Sequence, residues 1–176
     1  MKTLTTPSLV LEPQVAAHAR EMFPVLSDIA IYEFENSPPS SEDWLRARYQ
    51  RLESRGPADK SEIWLNWVIR LQDGNLAGYV QASVLQDNTA YVAYELNSRY
   101  WRQGIGSQAV AAVMDELRDE YAVSTCLAVL KSKNFRSCAL LGKLGFALAN
   151  EELSARHRDG LDEIVMVRRL LSAHAA

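Results

Sequence analysis

Apolar positions recur along the chain with two different periods, and each switch between them marks an element boundary. Leu9-Val10-Leu11 predicts a short first strand ended by Pro13. Val15 to Phe23 predicts a helix, with Pro24 just beyond it as a stop signal. Ser37-Pro38-Pro39-Ser40 is a loop, and a second helix follows with Ser40 or Ser41 as its N-cap. Glu42-Asp43 sit in its first turn, Trp44, Leu45, Arg48 and Leu52 lie along it, and Gly56-Pro57 end it. Three strand-like runs come next, Ile63 to Leu71, Leu76 to Leu85 and Thr89 to Leu96. The polar turns Asp73-Gly74-Asn75 and Gln86-Asp87-Asn88 between them predict an antiparallel meander. From Ser107 the spacing becomes helical, with Val110, Val113, Met114, Leu117 and Tyr121 on one stripe. Val123 to Leu130 then reads as a buried strand. Asn134 caps a further helix whose Cys138, Leu141 and Leu144 face inward, and Gly145 suits its C′ position ahead of Phe146. Phe146 to Ala149 and Ile164 to Leu170 are the last strands, with His157-Arg158-Asp159-Gly160 in the connection between them.

This order predicts an α/β (α+β) architecture: a mixed, mainly antiparallel central sheet of about seven strands flanked by helices. A strand, helix, parallel strand unit, Tyr91 to Leu130, sits at its centre. The chain has 176 residues and no repeat, low-complexity tract or linker, so residues 1–176 are expected to form one domain with a sizeable core.

Composition narrows the function classes. Hydrophobic content of 48% and charged content of 23% are those of an ordinary globular protein. A net charge of −3 with scattered Lys and Arg argues against a nucleic-acid partner, because no basic excess neutralises phosphates. No apolar run is long enough to span a membrane, and the N-terminus lacks the apolar stretch of a signal peptide. Cys126 and Cys138 are expected to be reduced and buried, and the expected location is the cytoplasm. His18, His157 and His174 show no metal-ligand spacing, so no metal site is expected.

Candidate chemistry concentrates in Tyr91 to Ser107, YVAYELNSRYWRQGIGS. A strand stops at Asn97-Ser98-Arg99, a loop carries Gly104-Ile105-Gly106, and a helix starts at once. Such a loop can aim several backbone N–H groups at one spot, with the positive end of the helix dipole behind them. It is not a P-loop, since no Gly-Lys-Ser/Thr ends it. Nor is it a dinucleotide fingerprint, since the third glycine and the later acidic residue are missing. Taken alone, the pattern is either a phosphate cradle or an ordinary tight turn.

Two blocks together carry a resemblance. Tyr94-Glu95-Leu96, Tyr100-Trp101 and Gly104-Ile105-Gly106 resemble the acetyl-CoA loop of the GCN5-related N-acetyltransferases (GNAT). Asn134-Phe135-Arg136-Ser137 ahead of Leu140-Leu141-Gly142-Lys143-Leu144-Gly145-Phe146 is similar to the late helix of that family. The pattern is most similar to the branch that acetylates ribosomal-protein N-termini (RimJ/RimL-like), and Pro7 to Leu52 resembles that branch more loosely. The resemblance implies acetyl-CoA as co-substrate, an amine acceptor, and a wedge between splayed parallel strands that holds the thioester-bearing arm. It implies that the backbone N–H groups of Arg102, Gln103, Gly104, Ile105, Gly106 and Ser107 hold the pyrophosphate, and that a backbone N–H at Leu96 meets the thioester oxygen. Trp101 stands where the family usually has Gln or Arg, so backbone contacts should dominate there.

Residue roles implied in this way compete with plainer ones. Asn134 either bonds the pantetheine arm or caps its helix. Glu95 lies among the apolar Val92, Tyr94 and Leu96; it is either a proton-accepting carboxylate in the wedge or an exposed strand residue. Leu141 occupies the place of the family's usual thiolate-protonating Tyr, and Ser137 is the substitute or makes a local capping bond. Glu33 and Glu35 either form an acidic lip at the acceptor site or lie in a solvated loop. The acceptor is a primary amine: a protein N-terminus, or a small molecule such as an amino acid, polyamine or aminoglycoside. A non-catalytic acyl-CoA-binding domain is the third reading, and the family's frequent homodimers leave the oligomeric state open.

Overall fold

The computed structural model describes residues 1–34 and 36–170. Its strands are β1 (Leu4–Thr5), β2 (Leu9–Pro13), β3 (Glu62–Leu71), β4 (Leu76–Leu85), β5 (Thr89–Leu96), β6 (Thr125–Lys131), β7 (Ala147–Leu148) and β8 (Glu163–Arg169). Its helices are α1 (Ala19–Leu26), α2 (Glu42–Leu52), α3 (Ile105–Tyr121), α4 (Phe135–Lys143) and α5 (Glu151–His157). The strands form one sheet in the order β1-β2-β3-β4-β5-β6-β8-β7. Every pairing is antiparallel except β5 with β6. The mixed, mainly antiparallel sheet is therefore as expected, with eight described strands rather than about seven.

Both faces of the sheet are covered, and the alternation in β3 shows how. Leu65, Trp67 and Ile69 join the core that includes Val110, Val113 and Leu117 of α3. Val68 points the other way, to Ala19, Met22 and Leu26 of α1 and Leu45 and Tyr49 of α2. A strand buried on both faces reads as a near-continuous apolar run, as Ile63 to Ile69 does with Asn66 as its one polar residue.

The parallel ladder is short. Its register runs Thr89↔Thr125, Ala90↔Cys126 and Tyr91↔Leu127, and then stops, although β5 continues to Leu96 and β6 to Lys131. The two strands splay beyond Tyr91, as the family resemblance implied. On the other side of β5, a register shift at Ile69/Arg70 bulges β4 beside its partner β3. Gly78 lies at that bulge, and a Cβ there would fall 2.0 Å from the Glu95 carbonyl oxygen. Only glycine lets β4 approach the end of β5 this closely.

Several expectations are corrected. α1 passes through Pro24 instead of stopping before it. Burial of Met22 and Leu26 holds that turn, and the Ser27 hydroxyl donates to the Phe23 carbonyl at 2.7 Å. Val15 itself lies outside the helix, ahead of a 3₁₀ turn at Ala16–His18. His157 lies in the connection between β7 and β8 as expected, but that connection contains a helix, α5, which His157 ends; Asn150 caps it by accepting from the Leu153 N–H. Phe146 and Ala149 flank β7 rather than belonging to it. Cys138 and Leu144 are half-buried, while Leu141 is the buried residue of α4. Both cysteines are free; burial pushes the Cys126 thiol up to about 12. Gly145 takes the left-handed conformation expected after α4, with Phe146 N–H donating to the Leu141 carbonyl.

Candidate active site

The segment after β5 is fastened where it leaves the strand. Asn97 accepts from the Arg99 N–H and donates its side-chain amide to the Val25 carbonyl. Asp28 accepts from the Ser98 N–H at 2.7 Å. The loop then turns through two left-handed residues, Arg102 (φ 60°) and Gly104 (φ 78°), and α3 begins at Ile105. Gly104 is the N-cap, so no side chain caps the first-turn N–H groups. A Cβ at Gly104 would meet nothing within 4 Å, so the space in front of these donors is open. This is the geometry of an anion cradle. Gly106 has a different reason to be glycine: a Cβ there would sit 2.8 Å from Leu140 Cδ1 and 2.9 Å from Leu96 Cδ1.

A cleft of about 610 Å³ runs from this loop into the splay. Glu95, Leu96, Arg102, Gly104, Ile105, Gly106, Ser107, Asn134 and Ser137 all line it. Gln103 does not; its side-chain amide turns back to the Arg99 carbonyl at 2.8 Å. Trp101 lines the wall, and its indole N–H donates to the Leu96 carbonyl at 2.9 Å. The Arg136 guanidinium stands 4.4 Å over the Trp101 ring and pairs with Glu33. Glu33, one of the two residues read either as an acidic lip or as part of a solvated loop, is exposed and tied to α4 beside the large cleft by this ion pair. Glu35 lies outside the described residues. An open, uncapped cradle continuing into a long cleft fits the pyrophosphate and extended arm of a CoA thioester.

Asn134 caps its helix with one half of its side-chain amide. Its Oδ1 accepts from the Ser137 N–H at 3.1 Å, which is a helix cap, while its Nδ2 is the half of the amide left over. The capping bond uses the Ser137 backbone, not its hydroxyl. Beside that hydroxyl lies a group absent from the sequence-based candidates, Tyr94. The residue lines the same cleft, while its hydroxyl oxygen is buried and makes no hydrogen bond. Burial pushes the phenol up to about 12, and the nearby Ser137 hydroxyl eases that rise without completing a bond. The visible signal was the alternation of β5: Tyr94 and Leu96 share a face, and Leu96 was already placed at the wedge.

On the far side of β5 a second cavity of about 300 Å³ opens between the sheet, α1 and α2. Gln14, Tyr32, Arg48, Tyr49, Asn66 and Tyr79 are among its walls, and so is Glu95. Glu95 is the residue common to the walls of both cavities among the described residues. The Tyr79 hydroxyl lies near its carboxylate, and the acidity of that phenol is suppressed first by burial and then by the negative charge. Among the described residues no cluster of His, Cys, Asp and Glu could hold a metal ion. No described helix is long and apolar enough to cross a membrane.

The fold recurs in solved acetyltransferases. RimL, a ribosomal L7/L12 α-N-protein acetyltransferase solved with coenzyme A, superposes with a TM-score of 0.79 at 18% identity, covering 96% of this chain and 98% of that one. Ribosomal-protein-S5-alanine acetyltransferase from Vibrio fischeri gives 0.75 at 17%, over 96% and 97%. The microcin C7 self-immunity acetyltransferase MccE, solved with acetyl-CoA and AMP, gives 0.77 at 16%, over 94% of each chain. No curated protein matches the chain by sequence. At these identities the likeness speaks for the fold, and it includes the ribosomal-protein branch that the two motif blocks resemble. The sequence speaks for the family itself: residues 8–147, which hold both the glycine cradle and the Asn134 helix, match the acetyltransferase (GNAT) domain, and the chain belongs to that family.

Proposed function

We propose that this chain is an acetyl-CoA-dependent N-acetyltransferase whose single domain brings a thioester from the large cleft and a primary amine from the small cavity together at Glu95. The observation that carries this reading is the position of Glu95 in the wall between two cavities. Acetyl-CoA, when bound, supplies an acetyl group activated as a thioester. The uncapped N–H groups at the start of α3 hold its pyrophosphate, and Asn134 Nδ2 donates to the pantetheine arm. The Glu95 carboxylate accepts a proton from the acceptor nitrogen, directly or through water, because only the neutral amine is nucleophilic. Tyr94 Oη, aided by Ser137, donates a hydrogen bond where sulfur departs. This assigns to a β5 phenol the work that Leu141, buried and apolar, cannot do. We place the protein in the cytoplasm, where its two unpaired cysteines, Cys126 and Cys138, would stay reduced.

Thiol release from acetyl-CoA on a panel of amines tests the reading. Glu95→Gln should lower kcat roughly a hundredfold near neutral pH, within the usual range for a positioned base. The deficit should shrink at high pH, where the amine is already neutral. A pH–rate profile unchanged from that of the parent would remove Glu95 from the mechanism.

A further inference from the structure

The small cavity carries its own donor and acceptor pattern. Gln14 Nε2 and Tyr49 Oη are buried and make no hydrogen bond. Tyr49 is 3% exposed, and burial suppresses its ionisation, so its hydroxyl stays protonated and can donate. A buried polar atom without a partner is uncommon and destabilising, and two in one cavity call for a ligand. Arg48 adds a cation, with its guanidinium 5.7 Å over the ring of Trp44. Arg48 and Trp44 are exposed, whereas Gln14 Nε2 and Tyr49 Oη are buried, so the guanidinium stands at the mouth and the amide and phenol donors lie inside. All three of these groups present hydrogens. The wall nearest the thioester cleft presents the opposite, the Glu95 carboxylate.

Resting on the acetyltransferase reading above, we propose that the acceptor is a small amine that also carries a carboxylate, so that the ligand is a free amino acid or similar amino carboxylate rather than a polyamine or an extended peptide. Its amine faces Glu95. Its carboxylate takes up the donors of Gln14, Tyr49 and Arg48. A polyamine would leave those donors unpaired and add cations beside Arg48. A peptide N-terminus has turned its carboxylate into an amide, which gives up the charge that Arg48 complements. The cavity, about 300 Å³, has room for one amino acid and its first waters.

The experiment uses matched pairs that differ only in the carboxylate: phenylalanine against phenethylamine, histidine against histamine, and alanine against ethylamine. A C-terminally amidated heptapeptide beginning with each amino acid is the peptide arm. Thiol release gives kcat/KM for each, and melting temperature with CoA present gives binding. The expected result is that at least one acid exceeds its decarboxylated partner and its peptide by roughly ten- to a hundredfold, the scale of a charge-assisted hydrogen bond. Arg48→Met should bring that ratio close to one, and Arg48→Lys should restore part of it. Amines or peptides turned over as well as the acids would overturn the inference and leave N-acetyl transfer standing. Silence across the whole panel would count against the acetyltransferase reading instead. In that case binding decides: a melting shift with an acid that its amine does not give, and that Arg48→Met removes, sustains the amino carboxylate, and equal shifts or none overturn it.

Discussion

Tyr94 holds a hydroxyl that the fold buries and leaves unpaired, and that combination has opposite consequences for stability and for catalysis. Removing an unsatisfied buried polar group relieves a desolvation cost, so Tyr94→Phe should keep or raise the melting temperature. The same change removes the donor proposed for the departing sulfur, so kcat should fall roughly tenfold to a hundredfold. Ser137→Ala should act in the same direction on kcat with little effect on melting, because Asn134 caps α4 through the Ser137 N–H, which alanine retains. If the two hydroxyls work together, the double variant should lose little more than the worse single variant. Measuring kcat and melting temperature on the same preparations tests this. Full activity in Tyr94→Phe would leave the thiolate to solvent and reduce Tyr94 to a filler of the wedge. Asn134→Ala has the reverse signature, with a stability loss of about 1 kcal/mol from the missing cap as well as weaker CoA binding.

Among the elements, the tightest constraint lies between β4 and β5. The Cβ that Gly78→Ala would add lies 2.0 Å from a backbone oxygen of Glu95, and backbone cannot swing aside as a side-chain end can. The variant should be destabilised by roughly 1–3 kcal/mol, the cost typical of overpacking, and should lose activity beyond what its folded fraction explains, because the displaced residue is Glu95 itself. Normal kcat per folded molecule would detach the bulge from the site. A second constraint ties α1 to the sheet. Arg70 on β3 pairs with Glu12 on β2 at 2.7 Å and with Glu21 on α1 at 2.9 Å, and its hydrogen bonds hold both carboxyls below their ordinary range. A depressed folded-state pKa gives stability that is present above the ordinary carboxylate value, near 4.5, and is lost as pH falls below it. Melting temperature should therefore drop between about pH 5 and 3, and Arg70→Met should flatten that part of the curve. An equally steep drop in the variant would place the acid sensitivity elsewhere. These elements also show what was legible in the sequence. Strands β3 to β5 and helices α2 to α4 follow their apolar periods and caps closely, because local and tertiary preferences agree there. At Pro24 they disagree, and burial of Met22 and Leu26 outweighs the missing N–H. β1 pairs only Leu4 and Thr5 with β2, too short a run for any period to show. Helix α5 did carry signals, Asn150 ahead of Glu151-Glu152 and Arg156-His157 at its end, but its apolar face is too small to stand out.

For the whole molecule, the cleft exists because one ladder stops early. Three register pairs join β5 to β6, and beyond them the Gly104 cradle on α3 and the Asn134 cap on α4 face each other across a gap that no backbone bonds close. The glycine pattern and the Asn-x-x-Ser helix were readable in the chain, while their meeting was legible only through the family resemblance, since no spacing shows where a parallel pairing ends. Tyr94 was not legible, since its importance comes from a missing partner. A ligand that spans the gap should stabilise the fold by mass action, by about 2.7 kcal/mol at a hundredfold excess over Kd. In a chain of this size that is a rise of roughly 5–10 °C in melting temperature. The cradle can be tested without confusing charge with backbone strain. Gly104 has φ 78°, a conformation that Asn and Asp both tolerate better than other L-residues, and its Cβ direction is open. Gly104→Asn and Gly104→Asp should therefore fold comparably, each with a small loss. They differ by one negative charge placed where the pyrophosphate should lie. Gly104→Asp should abolish the CoA-induced rise, while Gly104→Asn keeps a reduced one, and added salt should narrow the difference by screening the repulsion. Dephospho-CoA should give a similar ordering, because the proposal puts the pyrophosphate rather than the ribose phosphate at this loop. If Gly104→Asp responds to CoA like the parent, the N–H groups at the start of α3 are not the pyrophosphate site, and the cleft takes its ligand in another orientation.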